Sequence, residues 1–359
     1  MKLKKPIRIA LTVLLALVLA VCVYVAYVML AYHRIPDLQT LEVTGDATDT
    51  LTVGEEHSLV SWNMGFGAYE SDFGFFMDGG DRSWAWSKKR LNANLDNISA
   101  LLKGENADLL LVQEVDTDST RTYHVNELDK LTKALAEQSY CRVFAMNYDS
   151  PFLFYPITQP HGASKAGVAT FSSYPITSAV RRSLPIEEGF TKFLDLDRCY
   201  SVSRIPVEGG GELVLYNLHL SAYTSDGTIA VEQLELLLGD MEREYEQGHY
   251  CIAGGDFNKD LLGDSSAYFG KTDASYTWAQ PIPEDTFDGY HISLVPPLDE
   301  ANPVPSCRNA DGPYHEGQYV VTVDGFLVTD NVAVSRCGVI DTGFRYSDHN
   351  PVRMEFALD

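Results

Sequence analysis

Two short stretches carry the chemistry of this chain: Gly255-Asp256-Phe257-Asn258 and, about ninety residues later, Ser347-Asp348-His349. Both adjoin short apolar runs, so Asp256, Asn258, Asp348 and His349 fall where strands stop and loops begin. Carboxylates and amides supply the oxygen donors that a hard cation such as Mg²⁺ takes, and an imidazole moves protons near neutral pH. Such a set suits metal-assisted hydrolysis of a phosphate ester.

Elements must bring these residues together. Ser58–Asn63 reads as a strand, and Asp108–Glu114 reads as a buried one ending in a carboxylate. Further strands are expected at 166–171, 199–206, 212–220, 250–255, 319–328 and 352–358. Leu91, Leu95, Ile98 and Leu102 recur at helical spacing within 87–103; Leu128, Leu131 and Leu135 mark a second helix. A third, 228–247, turns Leu234, Leu237, Leu238 and Met241 inward. Strands and helices mix without strict alternation, which predicts an α+β fold with sheets packed together and helices outside.

Placed on those elements, the chemical residues form a series: Trp62-Asn63, Gln113-Glu114, Asn217-Leu218-His219, Asp256 to Asn258, Val323-Asp324, and Asp348-His349. In order and spacing the series resembles the endonuclease/exonuclease/phosphatase superfamily, over about residues 58–359. The resemblance implies a four-layer α/β/β/α sandwich of two mostly antiparallel sheets, with the site at one end. It also implies roles. Glu114 is expected as the main Mg²⁺ ligand, with Asn63 beside it and Asp348 binding directly or through water; Mn²⁺ is an expected substitute. Asp256 would position or deprotonate the attacking water, and Asn258 would hydrogen-bond a phosphate oxygen. His349 would contact the scissile phosphate, Asp324 would fix its tautomer, and His219 would be a second donor. Asp330 and Asp341 are rivals to Asp324, and either one or two metals fit the set.

Three stretches stand over this site. Residues 65–86 carry Phe66, Tyr69, Phe73, Phe75, Phe76, Trp84 and Trp86, which either wall a pocket or form a satellite core that pins the loop. Residues 147–165 carry Phe152, Phe154, Tyr155, His161 and Lys165, the last a candidate substrate contact. Residues 260–318 are long and irregular, a length that usually marks function.

Ahead of all this, Ile9 to Tyr32 is an uncharged run of 24 residues, about 36 Å as a helix. It is longer than a signal-peptide core, and Lys2, Lys4, Lys5 and Arg8 precede it. The expectation is a retained single-pass anchor at 9–32, a cytoplasmic stub at 1–8, a linker at 33–56 and an extracytoplasmic catalytic domain at 57–359. The whole chain is −23 and its first 35 residues are +5, so the remaining 324 carry −28. That acidity disfavours nucleic acid as a partner and leaves a phosphate ester, small or lipid-borne, reached through a cation. Five widely spaced cysteines outside the anchor indicate neither zinc nor a disulfide framework. The reading is a membrane-anchored phosphohydrolase; the alternatives are an extracellular nuclease and a non-catalytic scaffold.

Overall fold

The computed structural model describes residues 4–186, 189, 196–222, 228–270 and 278–359. Lys2 of the basic stub and positions 271–277 of the long loop lie outside the described residues. Helix α1 (Lys5–Ala31) is long and apolar enough to cross a membrane.

Beyond it, two sheets stack face to face. One has six strands in the order β14-β15-β2-β3-β5-β4 and the other seven, β1-β6-β7-β8-β9-β13-β10. The first comprises β2 (His57–Asn63), β3 (Leu109–Asp116), β4 (Cys141–Leu153), β5 (Gly162–Ser172), β14 (Val332–Val339) and β15 (Val352–Leu358). The second comprises β1 (Gln39–Thr40), β6 (Ser178–Ser183), β7 (Cys199–Pro206), β8 (Glu212–His219), β9 (Tyr250–Asp256), β10 (Ile292–Val295) and β13 (Asp324–Thr329). A separate pair, β11 (Cys307–Arg308) and β12 (Val320–Val321), lies beside the site. Neighbouring strands are antiparallel except β2 with β3 and β8 with β9.

Alternation along the strands builds the layers. Leu59, Leu111, Val143, Leu215, Ile252, Phe326 and Met354 meet between the sheets. Val60, Trp62, Leu110 and Val112 face the other way, onto α2 (Lys88–Glu105) and α3 (Glu127–Ala134). On the far side, Val214, Leu218, Ala253 and Leu327 pack under Leu234, Leu237, Leu238 and Met241 of α4 (Thr228–Glu246). The result is the expected α/β/β/α sandwich. Each half of this packing rests on the transfer of apolar side chains from water, about 1.5–3 kcal/mol per large residue before entropy is counted. Ser87 caps α2 by accepting from the Arg90 amide, and Asn106 closes it in the left-handed region.

Several elements depart from the sequence reading. The stretch 147–165 is mostly a β-hairpin, because β4 alternates buried and half-buried residues while β5 is buried almost throughout. The strand expected at 319–328 is divided into β12 and β13 by Thr322 and Val323. The long irregular loop contributes β10, β11 and a short helix, α5 (Ser266–Phe269). Within the stretch read as a tether, β1 pairs with β6, and Leu51 is buried where it bridges to Val207. All six cysteines are unpaired.

Candidate active site

Register places the site. On the seven-stranded sheet, His219 at the end of β8 stands beside Asp256 at the end of β9, and Asp256 beside Asp324 at the start of β13. On the other sheet, Asn63 ends β2 next to Gln113 of β3. There the pairing of β3 with β5 slips between Val112 and Val115, and Glu114 takes a φ of 55°. A bulge of this kind re-aims a side chain at the cost of roughly 1–3 kcal/mol for a left-handed non-glycine residue. Glu114 is thereby turned into a cavity of about 400 Å³ at this end of the sandwich. Gln113 donates from Nε2 to Asn217 Oδ1 at 2.8 Å, tying the two sheets together under the site.

Glu114, His219, Asp256, Asn258, Asp348 and His349 all line that one cavity. Asn63 joins the acids: its Nδ2 lies 3.1 Å from Glu114 Oε1 and 2.9 Å from Asp256 Oδ2. Its Oδ1 accepts from the Gly65 amide at 3.0 Å, so in this arrangement Asn63 positions two carboxylates through its amide nitrogen. Asn258 donates its backbone N–H to Asp256 Oδ1 at 2.9 Å and its Nδ2 to the Leu220 carbonyl, leaving one amide hydrogen for a ligand. His349 Nδ1 meets Asp324 Oδ2 at 2.8 Å, and its Nε2 is 3.8 Å from Asp256 Oδ2. Of the three acids the sequence left open, Asp324 is the buried one paired with His349; Asp330 and Asp341 are exposed. Lys165 is exposed on β5 and is not among the residues lining the cavity.

The electrostatics are those of an acidic pocket out of water. Burial, reinforced by Asp324, pushes Asp256 up to about 6 against the pull of His349. Burial, with Glu114 and Asp78 nearby, pushes Asp348 up to about 7. The two imidazoles diverge. Burial opposes charge on His349, but Asp324, Asp256 and Asp348 hold its pKa well above the usual histidine value. His219, buried beside Arg198, His349 and Arg121, is driven well below it and stays neutral.

Asp256, Asp324 and His349 place ligand atoms within 4.8 Å of one another, a spacing a metal ion tolerates. The 2.8 Å Asp324–His349 contact already occupies Nδ1, so this trio acts better as a hydrogen-bonded relay. The oxygen-rich side, formed by Glu114 and Asp348, fits a hard divalent cation: their carboxylates face the cavity and excess negative charge has been driven into burial.

Sequence reasoning missed three arginines on the cavity wall. Arg121 is bound by Asp116 through two contacts, 2.8 and 3.0 Å, and lies over the Phe66 ring at 3.8 Å. Arg308 is tied to the carbonyls of Glu70 and Phe73, both at 3.2 Å, which staples the aromatic stretch 65–86 in place. Arg198 is buried with no acid partner among the described residues; its Nε is unpartnered, and its Nη1 reaches only the His219 carbonyl at 3.5 Å. Its one signal in the sequence is a cation immediately before strand β7. The aromatic stretch walls the cavity through Tyr69, Phe75 and Met77, while Phe66 and Phe73 are buried in the main core under α2 instead of forming a satellite.

Residues 60–349 match the Endonuclease/Exonuclease/phosphatase family. The chain belongs to that family. Its enzymes hydrolyse phosphate esters, and this chain is such a hydrolase. Among solved structures it is similar to an endonuclease/exonuclease/phosphatase from Beutenbergia cavernae. Identity there is 18%, over 84% of this chain and 72% of that one, with a TM-score of 0.57. ANGEL2, a 2',3'-cyclic phosphatase in complex with adenosine-2',3'-vanadate, is 15% identical over 89% and 99%, with a TM-score of 0.57. The human Nocturnin catalytic domain with bound sulfate is 14% identical over 89% and 98%, with a TM-score of 0.54. At these identities the likeness speaks for the fold. No curated protein matches the chain.

Proposed function

We propose that this protein is a membrane-anchored, extracytoplasmic, Mg²⁺-dependent phosphohydrolase that directs water at phosphorus in a small or lipid-borne phosphate ester. The observation that carries the reading is the Asp324–His349 pair at 2.8 Å, with His349 Nε2 standing 3.8 Å from Asp256 in the cavity that Glu114 and Asp348 also line. Helix α1, with Lys4, Lys5 and Arg8 at its start, supports an anchor whose N-terminus stays inside.

Each residue has a task its surroundings suit. Asp256, held by the Asn63 amide and the Asn258 N–H, aims one carboxylate oxygen at a water and takes its proton; a carboxyl raised to about 6 is a better base than an ordinary aspartate. His349, kept charged by Asp324, faces the phosphoryl oxygens with Nε2 and offsets the charge that grows there. Arg198, which has no acid partner among the described residues, supplies a second cation from the cavity lining. Neutral His219, 3.5 Å from Asp256, donates one N–H without adding charge. A divalent ion held by Glu114 and Asp348 would supply charge neutralisation and Lewis acidity. Asn147 Nδ2, Asn309 Nδ2 and Trp278 Nε1 line the same cavity and have no partner among the described residues, which favours an oxygen-rich ester group.

The test is turnover of bis(4-nitrophenyl) phosphate and 4-nitrophenyl phosphate by the full chain in detergent, with EDTA and then with Mg²⁺ restored. Activity is expected to vanish with chelation and return with Mg²⁺. Asp256→Asn or His349→Ala should lower it by about 10²–10³. Metal-independent turnover, or an unaffected Asp256→Asn variant, contradicts the reading. Plasmid nicking at a comparable rate would favour a nuclease, against the scatter of lysines and arginines along the sequence and the −23 charge.

A further inference from the structure

Outside α1, nine large apolar side chains are exposed among the described residues, and four of them cluster at one turn: Phe152 38% at the end of β4, then Phe154 53%, Tyr155 66% and Ile157 77% between β4 and β5. Such a cluster on a hydrolase of net charge −23 calls for a partner. The turn leans on the apolar helix. Tyr27 Oη accepts from the Phe152 amide at 3.1 Å, and Tyr24 Oη accepts from the Phe154 amide at 2.8 Å. The Tyr24 ring meets Phe154 edge-on at 6.2 Å. Tyr24 and Tyr27 stand seven and four residues before the end of α1, about 10 and 6 Å back along a helix that spans a membrane from the other end.

Those hydrogen bonds matter for what surrounds them. Strand β4 is the edge of its sheet, and its pairing with β5 slips between Ser150 and Leu153, so the amides of Phe152 and Phe154 face outward. In hydrocarbon an unsatisfied backbone group costs several kcal/mol, and the two tyrosine hydroxyls remove that cost at both amides. A polar collar lies at the base of the turn: His33 is 3.5 Å from Asp149, and Asp149 pairs across the hairpin with the exposed Lys165. Apolar tip, tyrosines and charged collar follow one another in the order of acyl chains, interface and water. The turn also adjoins the active cavity. Tyr148 and His161 of the same hairpin line it, and the Tyr155 ring is 5.8 Å from Phe76, whose chain neighbours Phe75 and Met77 line it too.

We propose that the β4–β5 turn inserts into the outer half of the bilayer that α1 crosses, holding the cavity at headgroup level over an ester carried by a membrane lipid. The substrate part rests on the phosphohydrolase reading above; the insertion does not. The collar carries little net charge, so apolar contact drives the docking and phosphatidylcholine alone suffices as the surface.

The full chain in phosphatidylcholine nanodiscs, in a Cys22→Ser background, tests insertion without any catalysis. An environment-sensitive fluorophore at Ile157→Cys should emit to the blue and be quenched by doxyl-labelled lipid. The same label at Glu208→Cys, on the turn at the opposite end of β7, should be neither. Water-like, unquenched emission at both positions overturns insertion. Replacing Phe152, Phe154 and Ile157 with Ser should then lower turnover of a bilayer-embedded phosphodiester at least about tenfold, the docking worth of a single such side chain. Turnover of bis(4-nitrophenyl) phosphate in water should stay within about twofold, well inside that docking worth. An equal loss on both substrates, or none on the lipid, overturns presentation of a lipid substrate. Turnover of neither by the parent chain sinks the phosphohydrolase reading and its lipid substrate, while quenching still decides insertion.

Discussion

Asp324→Asn isolates the charge behind His349 while keeping its shape. In the structure Asp324 Oδ2 accepts from both His349 Nδ1, at 2.8 Å, and Ser306 Oγ, at 2.7 Å. An asparagine oxygen can still accept from both donors, so the loss is that of a charge-assisted bond, about 1.5–3 kcal/mol. At about 1.4 kcal/mol per decade this is a fall of roughly 10–150-fold in kcat/KM. The assay is a double-mutant cycle with His349→Ala on a soluble phosphodiester at saturating Mg²⁺. Since Asp324 acts through His349, the double variant should be no slower than His349→Ala alone, giving a coupling energy near the whole single effect. Additive losses would refute the pairing as the route by which Asp324 matters. Retained activity in Asp324→Asn, with its fold intact by circular dichroism, would refute the role of charge altogether.

Other consequences are separable from catalysis. Burial, with Arg121 alongside, depresses the pKa of His161 to about 3, so it folds neutral. The unfolded chain binds its proton first as pH falls, so this stability is complete above about 6.5 and is lost below it, by roughly 2 kcal/mol at pH 5. Urea midpoints at pH 7 and 5 should show the loss, and His161→Phe should flatten it. Asp116→Ala leaves the buried Arg121 guanidinium without its bidentate partner and should cost about 3–5 kcal/mol in the same melts. Gly254 sits where the sheets nearly touch. A Cβ there would stand 2.6 Å from Phe326 and 2.8 Å from Leu111, so Gly254→Ala should destabilise by about 1–3 kcal/mol. A midpoint within error of the parent would refute that packing argument.

Much of this architecture is written locally. Leu91, Leu95, Ile98 and Leu102 line one face of α2, and all four are buried in it, because a 3.6-residue period needs no distant partner to be recognised. Strand β15 begins and ends where its apolar pattern does. Strand β4 escaped because its inward face runs into the polar Asn147 while its other face, Arg142, Phe144 and Met146, is half-buried throughout, so neither face shows a clean alternation in the letters. The acids and imidazoles of the site were legible as residue types at strand ends, and the structure brings them to one cavity. What aims Glu114 was not legible: a bulge arises from pairing with β5, more than fifty residues on, and no run of letters announces a slipped register. Arg198 was invisible for a related reason, since an arginine ahead of a strand is ordinary until burial strips it of water.

The two histidines show how far environment outranks identity. His219 and His349 share one cavity and both come within 4 Å of Asp256, at 3.5 and 3.8 Å. One carboxylate decides between them: Asp324 backs His349 at 2.8 Å, whereas His219 Nδ1 has no partner among the described residues and faces Arg198 and Arg121. In the mechanism proposed above, the site offsets anionic oxygens while keeping Asp256 ready as a base, and it gains from that asymmetry. Two imidazolium ions beside Asp256 would both pull its pKa down and spoil it as a proton acceptor, and two neutral rings would leave the phosphoryl charge unopposed. The order of the strand ends, β8, β9 and β13, imposes the arrangement. It sets His219 and Asp324 on opposite sides of Asp256, and the loop before β15 then brings His349 Nδ1 down onto Asp324.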